Sequence, residues 1–199
     1  MGISLRLLSK EKKEKTNGLE LAIINYTKEL KGVQAGVVNY ADDLKGVQIS
    51  AIFNKAHELK GVQVCLGNSA GDLKGLQVGG GNITDYLKGV QVGLGNAAGD
   101  LKGVQVGLGN TAGYLKGVQI GVVGNGAYKL RGTQIVGMLN YAEKLRGVQI
   151  SLINICGKDS EGVQGGVINW RMGVPWYATL IPIIAIRTGK KKSIEDKVK

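Results

Sequence analysis

Apolar and polar residues alternate along most of the chain in short segments that recur at a fixed interval. From residue 89 to residue 116 the chain reads GVQVGLGNAAGDLK and then GVQVGLGNTAGYLK. The stretch Val-Gln-Val-Gly-Leu has the two-residue period of a half-buried strand. In the second half of the unit, Ala112 and Leu115 lie three positions apart, so a bend must interrupt the alternation. The pattern predicts an all-β chain of strands and turns.

Two marker residues divide each unit into halves. Glycines recur every 14 or 15 residues from Gly18 to Gly162, and an asparagine follows each of them after seven or eight residues, from Asn25 to Asn169. Both residue types tolerate positive φ, which a chain requires at a sharp corner. We therefore expect eleven units, each with a first half that begins at Gly and a second half that begins at Asn. In longer units the extra residue precedes Asn, as in 51–53, which predicts a β-bulge.

Two all-β architectures fit such a chain. In a transmembrane barrel, strands of five residues would cover roughly 12 Å of an apolar band of about 25 Å. A soluble barrel of eleven strands would enclose a space that these modest side chains could not fill. A β-solenoid stacks like residues on like and gives each coil the neighbours that it needs for stability. We therefore predict a β-solenoid of about eleven coils with caps at both ends.

The repeats define three regions. Residues 1–17 are predicted to form an N-terminal cap with a charged segment, residues 18–170 the solenoid, and residues 171–199 an apolar C-terminal cap with a basic tail. The apolar run Val174–Ile186 is shorter than the 17–25 residues that a transmembrane helix needs. It is interpreted as a cap over the edge of the last coil, or alternatively as an interfacial membrane anchor.

A repeated residue forms a column along a solenoid, and the Gln column is the most regular polar one. It runs from Gln34 to Gln164, with Glu20 at the same position in the first unit, beside a column of small residues that includes Cys65. If Val and Leu point inward, Gln and Gly point outward and make one flat, uncharged side. The column is then either a ladder of amide hydrogen bonds or a docking face for a protein partner or a second copy. The candidate interaction face consists of Gln63, Gln77, Gln91, Gln105 and Gln119.

A basic column precedes the repeat glycines, and an acidic residue stands two positions before most of its members. Its simplest interpretation is a solvated ladder of acid–base pairs, whereas a stripe of like charge would attract a polyanion or an anionic lipid surface. Peripheral membrane contact stays open on this basis. Few aromatic residues are available to stack on bases, which argues against nucleic acid. The candidate basic column consists of Lys60, Lys74, Lys88, Lys102 and Lys116.

Composition narrows the function further. The net charge of +11 is concentrated at the ends, because residues 1–17 carry +3, residues 187–199 carry +4 and the long region between them carries only +4. The single histidine, His57, and the two cysteines, Cys65 and Cys156, cannot build a metal centre or a catalytic set, so neither a cofactor nor enzymatic activity is expected. Both cysteines replace small residues within columns, which favours buried thiols over a disulfide.

The phrase Gly-Val-Gln-Ile/Val-Gly-Leu/Val-x-Asn-x-Ala, followed by Leu-x-Gly, resembles the repeat of a bacterial family of surface-repeat proteins found in spirochaetes and Bacteroidetes. It is carried here by 32–44, 117–130 and 147–154, and similar units cover residues 18–170. The resemblance implies no catalytic residues, and it implies location at the cell surface or membrane. The chain shows no secretory signal or lipid-attachment cysteine, which favours the cytoplasm. Together these features predict a structural or protein-interaction rod, with membrane-surface or polyanion binding through basic ends and Lys column as the alternative.

Overall fold

The computed structural model describes residues 2–5, 13–173, 175 and 183–187, and every regular element in these ranges is a β-strand. The third strand is 92 residues long because successive coils continue through their corners in extended conformation. The strands are β1 (Gly2–Leu5), β2 (Lys13–Leu21), β3 (Ile24–Leu115), β4 (Val118–Leu130), β5 (Thr133–Val136), β6 (Leu139–Ile150), β7 (Ile153–Cys156), β8 (Glu161–Gly166), β9 (Ile168–Arg171) and β10 (Ile183–Arg187).

Successive coils stack in parallel with like residues in register, which confirms the predicted β-solenoid. Between β3 and β4, Gln105 pairs with Gln119 and Asn110 with Asn125. The same register continues from β4 to β6 and from β6 to β8, and the solenoid makes about ten turns. The pairing shifts between Gly107 and Gly109, where the next coil has one more residue before its Asn. This register shift lies where the sequence predicts the extra residue, just before Asn.

Both ends of the stack are extended by further strands. β1 pairs in parallel with β2, so that Gly2 lies beside Gly18. β10 runs antiparallel to β8, with Ile184 opposite Gly165, and covers the outer edge of β8. In the apolar run interpreted as a cap or anchor, residues 174 and 176–182 lie outside the described part of the chain. Residues 6–12 of the N-terminal region and the basic tail from residue 188 onward also lie outside it.

The expected orientation of the strands in the first halves is wrong: Gln points inward, and Val and Leu point outward. The five glutamines of the candidate interaction face, Gln63, Gln77, Gln91, Gln105 and Gln119, are all 0% exposed. They cannot form a docking surface. The rest of the interior consists of the Asn column together with the Leu and Ala columns of the second halves, for example Asn110, Leu115 and Ala112.

The buried glutamines form an uninterrupted ladder of side-chain hydrogen bonds. Gln119 Nε2 donates to Gln105 Oε1 at 2.7 Å, and Gln105 Nε2 donates in turn to Gln91 Oε1 at 2.7 Å. The second proton of Gln105 Nε2 lies against the carbonyl oxygen of Thr111 at 3.2 Å. Because a backbone carbonyl only accepts, this contact fixes which end of the amide carries nitrogen. Every donor in the ladder therefore points towards the N-terminal end of the solenoid.

Glu20 terminates the Gln ladder with a group that only accepts. Its carboxylate receives hydrogen bonds from Gln34 Nε2 at 2.8 Å, from Thr27 Oγ1 at 2.7 Å and from Thr16 Oγ1 at 2.6 Å. The buried charge is thereby compensated by three donors, as a buried carboxylate requires. The replacement of Gln by Glu in the first unit is thus a structural feature of the ladder's end.

The asparagines form a second ladder that runs in the opposite direction. Asn96 Nδ2 donates to Asn110 Oδ1 at 2.8 Å and to the carbonyl oxygen of Val106 at 2.9 Å, both in the following coil. The same two bonds recur from Asn25 to the last coil. The Asn column therefore acts through its side chains, and the positive φ angles of the corners belong to glycines such as Gly89, with φ of 157°.

Two glycine columns are required by close contacts. A Cβ on Gly89 would lie far inside van der Waals contact with the carbonyl oxygen of Gly75 in the coil below. A Cβ on Gly93, in the small-residue column, would meet Asn82 Nδ2 at 2.6 Å. The small-residue column thus leaves room for the Asn amides. Cys65 occupies this column and Cys156 the Ala column, and both are buried thiols that form no disulfide.

We predict that Gln105→Glu destabilises the protein by at least about 2 kcal/mol at neutral pH, since Gln91 Oε1 loses its donor and faces a buried charge. The loss should shrink as the pH falls, because a protonated carboxyl regains an O–H donor. The measurement is urea unfolding followed by circular dichroism. Glu58→Gln, the reverse change at an exposed position, is the matched control. Equal stability of Gln105→Glu and the wild type at neutral pH would contradict a buried ladder.

A second prediction concerns the corner glycines. Gly89→Ala should lower the unfolding midpoint markedly, because both its φ and the Gly75 carbonyl exclude a Cβ. Gly95→Ala serves as the control, since no heavy atom lies within 4 Å of the Cβ position there. Thermal unfolding of the two variants should separate them clearly. Similar midpoints for both would show that the coils do not approach as closely as described.

Candidate functional site

The solenoid has two outer faces of opposite character, and these are its candidate functional surfaces. We call the outward side chains of the first halves the apolar face and those of the second halves the charged face. The interior between the two faces is thin. Gln91, in a first half, donates from Nε2 to two groups of second halves, Thr84 Oγ1 at 3.3 Å and the carbonyl oxygen of Ala97 at 3.3 Å. Each coil therefore presents both faces at the same height along the rod.

The apolar face consists chiefly of two exposed columns that flank the small-residue column. Their members are between 37% and 69% exposed, although they are large and apolar. The first column contains Ile49, Val64, Val92, Ile120, Ile135 and Ile150. The second contains Ile52, Leu66, Leu94, Leu108, Val122, Met138, Leu152 and Val167.

No charge interrupts this face within the repeats. The first halves of all units between Gly18 and Asn169 contain one charged residue, Glu20, and its side chain is buried in the Gln ladder. Lysine, arginine and the other acidic residues of the repeats stand in the second halves. Contiguous exposed apolar surface of more than a few hundred Å² is a feature of interaction sites. The apolar face is therefore the stronger candidate for docking.

The charged face carries the predicted basic column, and the structure places its members at exposed positions. Lys60, Lys74, Lys88, Lys102 and Lys116 all lie on this face. The acidic column lies across a shallow groove whose floor is the buried Leu column. One such groove, of about 200 Å³, is lined by residues that include Glu29, Lys31, Asp43 and Lys45.

The predicted acid–base pairing is not made at contact distance between these two columns. The ion pairs of the described ranges join other partners: Lys15 with Glu29 at 3.0 Å, Lys28 with Glu14 at 2.5 Å, and Arg146 with Glu161 at 4.0 Å. All six side chains are substantially solvated, so each pair contributes little to stability.

Within the described ranges, three side chains of the charged face have pKa values shifted from their ordinary ones. The hydrogen bond and charge of Lys15 lower the pKa of Glu29. A side-chain hydrogen bond with Tyr40 raises the pKa of Lys55. Tyr141 Oη donates to Glu143 Oε2 at 2.7 Å, and this hydrogen bond raises the pKa of Tyr141. All three shifts follow from contacts between neighbouring surface groups and mark no converging site.

Side chains that could bind a metal ion do not cluster among the described residues. His57 is exposed on the charged face. In the part of the chain that the structure describes, no group of three His, Cys, Asp or Glu side chains could hold a metal ion. Over the same ranges, no helix has the length and apolar character to cross a membrane.

Sequence reasoning missed the apolar face because Val and Leu were assigned to the interior. A usable signal was present: Gln and Asn recur almost without change, whereas the residue three positions after Gln varies among Leu, Val, Ala and Gly. A buried column that must bond to its own neighbours tolerates less variation between units than an exposed one. The same comparison identifies the Leu column, in which Leu30 to Leu145 are at most 2% exposed, as interior.

Comparison of the chain with known protein families, curated proteins and solved structures found no match.

The two-face arrangement predicts how thiols will react. In a Cys65→Ala background, Cys156 is buried and should react with a thiol reagent only after unfolding. Adding Leu94→Cys should create a thiol that reacts within seconds in the folded protein at high dilution, because Leu94 is 64% exposed. Native labelling counted by mass spectrometry tests this. Protection of the thiol at position 94 in the monomer would contradict an outward apolar face.

Proposed function

We propose that this protein is a non-enzymatic structural rod that self-associates through its apolar face. The proposal rests on one observation: large apolar side chains stay exposed along one side of the solenoid without an interrupting charge. Association removes this surface from water and is driven by the hydrophobic effect. The charged face stays solvated and limits stacking beyond a pair.

The regular pitch of the coils supports a second copy as the occupant. Neighbouring coils lie about 4.8 Å apart, so the ridges formed by the apolar side chains of one copy fit between those of another. Two such sheets pack about 10 Å apart. A two-fold arrangement uses the same patch on both copies and closes the assembly as a dimer.

The size of the face also fits a dimer. Nine intervals of about 4.8 Å and a width of about 13 Å give an area of roughly 600 Å² per copy. Two copies together would bury roughly 1,200 Å², the lower limit for specific, stable interfaces. At 25 cal/mol per Å², apolar burial of this extent offsets a substantial part of the cost of association.

A bilayer is the main competing occupant, and the distribution of charge favours it less. The basic column borders the apolar face on one edge only, through steps such as Lys102–Gly103–Val104. The other edge carries one lysine, Lys55, among uncharged residues such as Ala97 and Thr111, and so offers little charge to lipid headgroups. Electrostatic support for membrane binding would therefore come mainly from one side of the rod.

The test is sedimentation equilibrium over a range of concentrations. The wild type should form dimers that persist in high salt, because apolar contacts are not screened. Leu94→Lys/Leu108→Lys should weaken dimerisation at least about 100-fold, since each lysine would have to lose water in the interface. Ala97→Lys/Thr111→Lys adds the same charge to the same coils on the charged face, where Lys55 occupies the corresponding position, and should leave dimerisation intact.

Two results would overturn the proposal. One is a wild type that stays monomeric at all concentrations but floats with phosphatidylcholine vesicles, which would assign the apolar face to a membrane. The other is an equal effect of both double variants on dimerisation. Circular dichroism of each variant establishes that the fold is retained.

A further inference from the structure

The charges of the solenoid are distributed unevenly along its length. Residues 18–100 contain seven basic and eight acidic residues, whereas residues 101–147 contain six basic residues and one acidic residue, for a net charge of +5. We call these six residues the basic cluster. It consists of Lys102, Lys116, Lys129, Arg131, Lys144 and Arg146. The repeat pattern does not require this excess of positive charge in residues 101–147, so the excess indicates a function for this part of the charged face.

The basic cluster arises from a change at one position of the repeat. The residue before the buried Leu is acidic in most coils up to Asp100, but it is Tyr114, Lys129 and Lys144 in the next three coils. These residues stack in register, with Tyr114 beside Lys129 and Lys129 beside Lys144. A second column of positive charge therefore replaces the acidic column on this part of the charged face.

The two basic columns form the walls of a groove. Lys129 and Arg131 flank Leu130, and Lys144 and Arg146 flank Leu145 in the neighbouring coil, with both leucines fully buried. Alternate residues of a strand lie about 6.6 Å apart and neighbouring coils about 4.8 Å apart, so the cations form a compact grid. The groove that they line, with Asp159 at one end, has a volume of about 340 Å³. A second groove of about 310 Å³, lined by Lys102, Lys116, Lys129 and Arg131 among others, continues it.

Acidic residues border the basic cluster: Asp100 is part of the lining of one groove, and Asp159 is part of the lining of the other. Across the described ranges, the cluster makes one ion pair, between Arg146 and Glu161 at 4.0 Å. Glu143 lies in the same coil as Lys144 and accepts a hydrogen bond from Tyr141. Lys129 Nζ donates to Tyr114 Oη at 3.0 Å, a neutral partner. Most of the positive charge is therefore available to an external anion.

We propose that the basic cluster binds a linear chain of phosphate groups that lies along the rod. A single phosphate can contact only two or three cations of such a grid, whereas a chain that follows the axis contacts all of them. The cluster spans three coil intervals, roughly 14 Å, which several consecutive phosphates would cover. Phosphate recognition also matches the donors present, because Arg binds phosphate bidentately and Lys binds it as a point charge.

The aromatic residues of the cluster indicate that the phosphate chain is recognised without bases. Tyr114 and Tyr128 contact each other edge to face, with ring centroids 6.4 Å apart. Lys129 Nζ lies 4.5 Å from the Tyr114 ring centroid and 5.8 Å from that of Tyr128. Since base stacking needs an open ring face, these contacts compete with it. The preferred ligand is therefore an inorganic polyphosphate chain rather than a nucleic acid strand.

The experiment is fluorescence anisotropy with an end-labelled inorganic polyphosphate and the full-length protein. Lys129→Gln/Lys144→Gln should weaken binding at least about tenfold and reduce the slope of log K against log salt by about 1.4, at about 0.7 per lost contact. Lys60→Gln/Lys74→Gln removes the same net charge from exposed sites outside the cluster and should have much less effect. Circular dichroism checks folding of both variants.

Competition identifies the ligand chemistry. Orthophosphate should displace the probe only at far higher phosphate concentration than unlabelled polyphosphate, because it contacts few cations. An oligothymidylate that binds more tightly than polyphosphate of equal charge would overturn recognition without bases. Equal losses in the two double variants would also overturn the proposal, because binding would then follow net charge or the basic ends. Dimerisation through the apolar face is measured separately and does not enter either comparison.

Discussion

Hydrogen bonding between buried amides is the constraint on which this solenoid depends. Each coil places one Gln and one Asn in the interior, and each amide must find its partners in the coils above and below. A buried amide without partners costs about 1–3 kcal/mol, so one misplaced unit would leave unpaired groups in two ladders. The requirement is met only when the same residue stands in the same register in successive coils. The repetition of the sequence is thus a consequence of how the interior is bonded.

The two ladders also balance each other electrically. The Gln donors point towards the N-terminal end and the Asn donors towards the C-terminal end, so their aligned dipoles largely cancel along the axis. Where the Gln ladder begins, Glu20 supplies a negative group opposite the last amide donor. Hydrogen bonds in chains polarise one another and gain strength. The amides at the centre of the interior are therefore bonded along both ladders, with Leu and Ala packed alongside.

This interior leaves no room for the Val and Leu side chains of the first halves, and their exposure shapes the surface. The amides, the inward glycines such as Gly93, and the Leu and Ala columns already fill the thin space between the first and second halves of each coil. The remaining apolar residues lie outside on one face, and nearly all charge lies on the other. Self-association on the apolar face and phosphate binding on the charged face would use opposite sides of one rod, so both can operate at once.

The sequence by itself determined the period, the corners and the parallel stacking of the coils, because Gly and Asn recur at intervals that only stacked turns accommodate. It also indicated the exposed basic column, since Lys60 and its equivalents carry charge that cannot be buried. It could not determine which side of each strand faces inward. Alternation shows which residues share a side of a strand, but it does not show which side is buried. The general preference for burying Val and Leu predicted the wrong side for the first halves. Only the tertiary structure decided this, because the cost of burying Gln disappears when a second Gln lies about 4.8 Å away to bond with it.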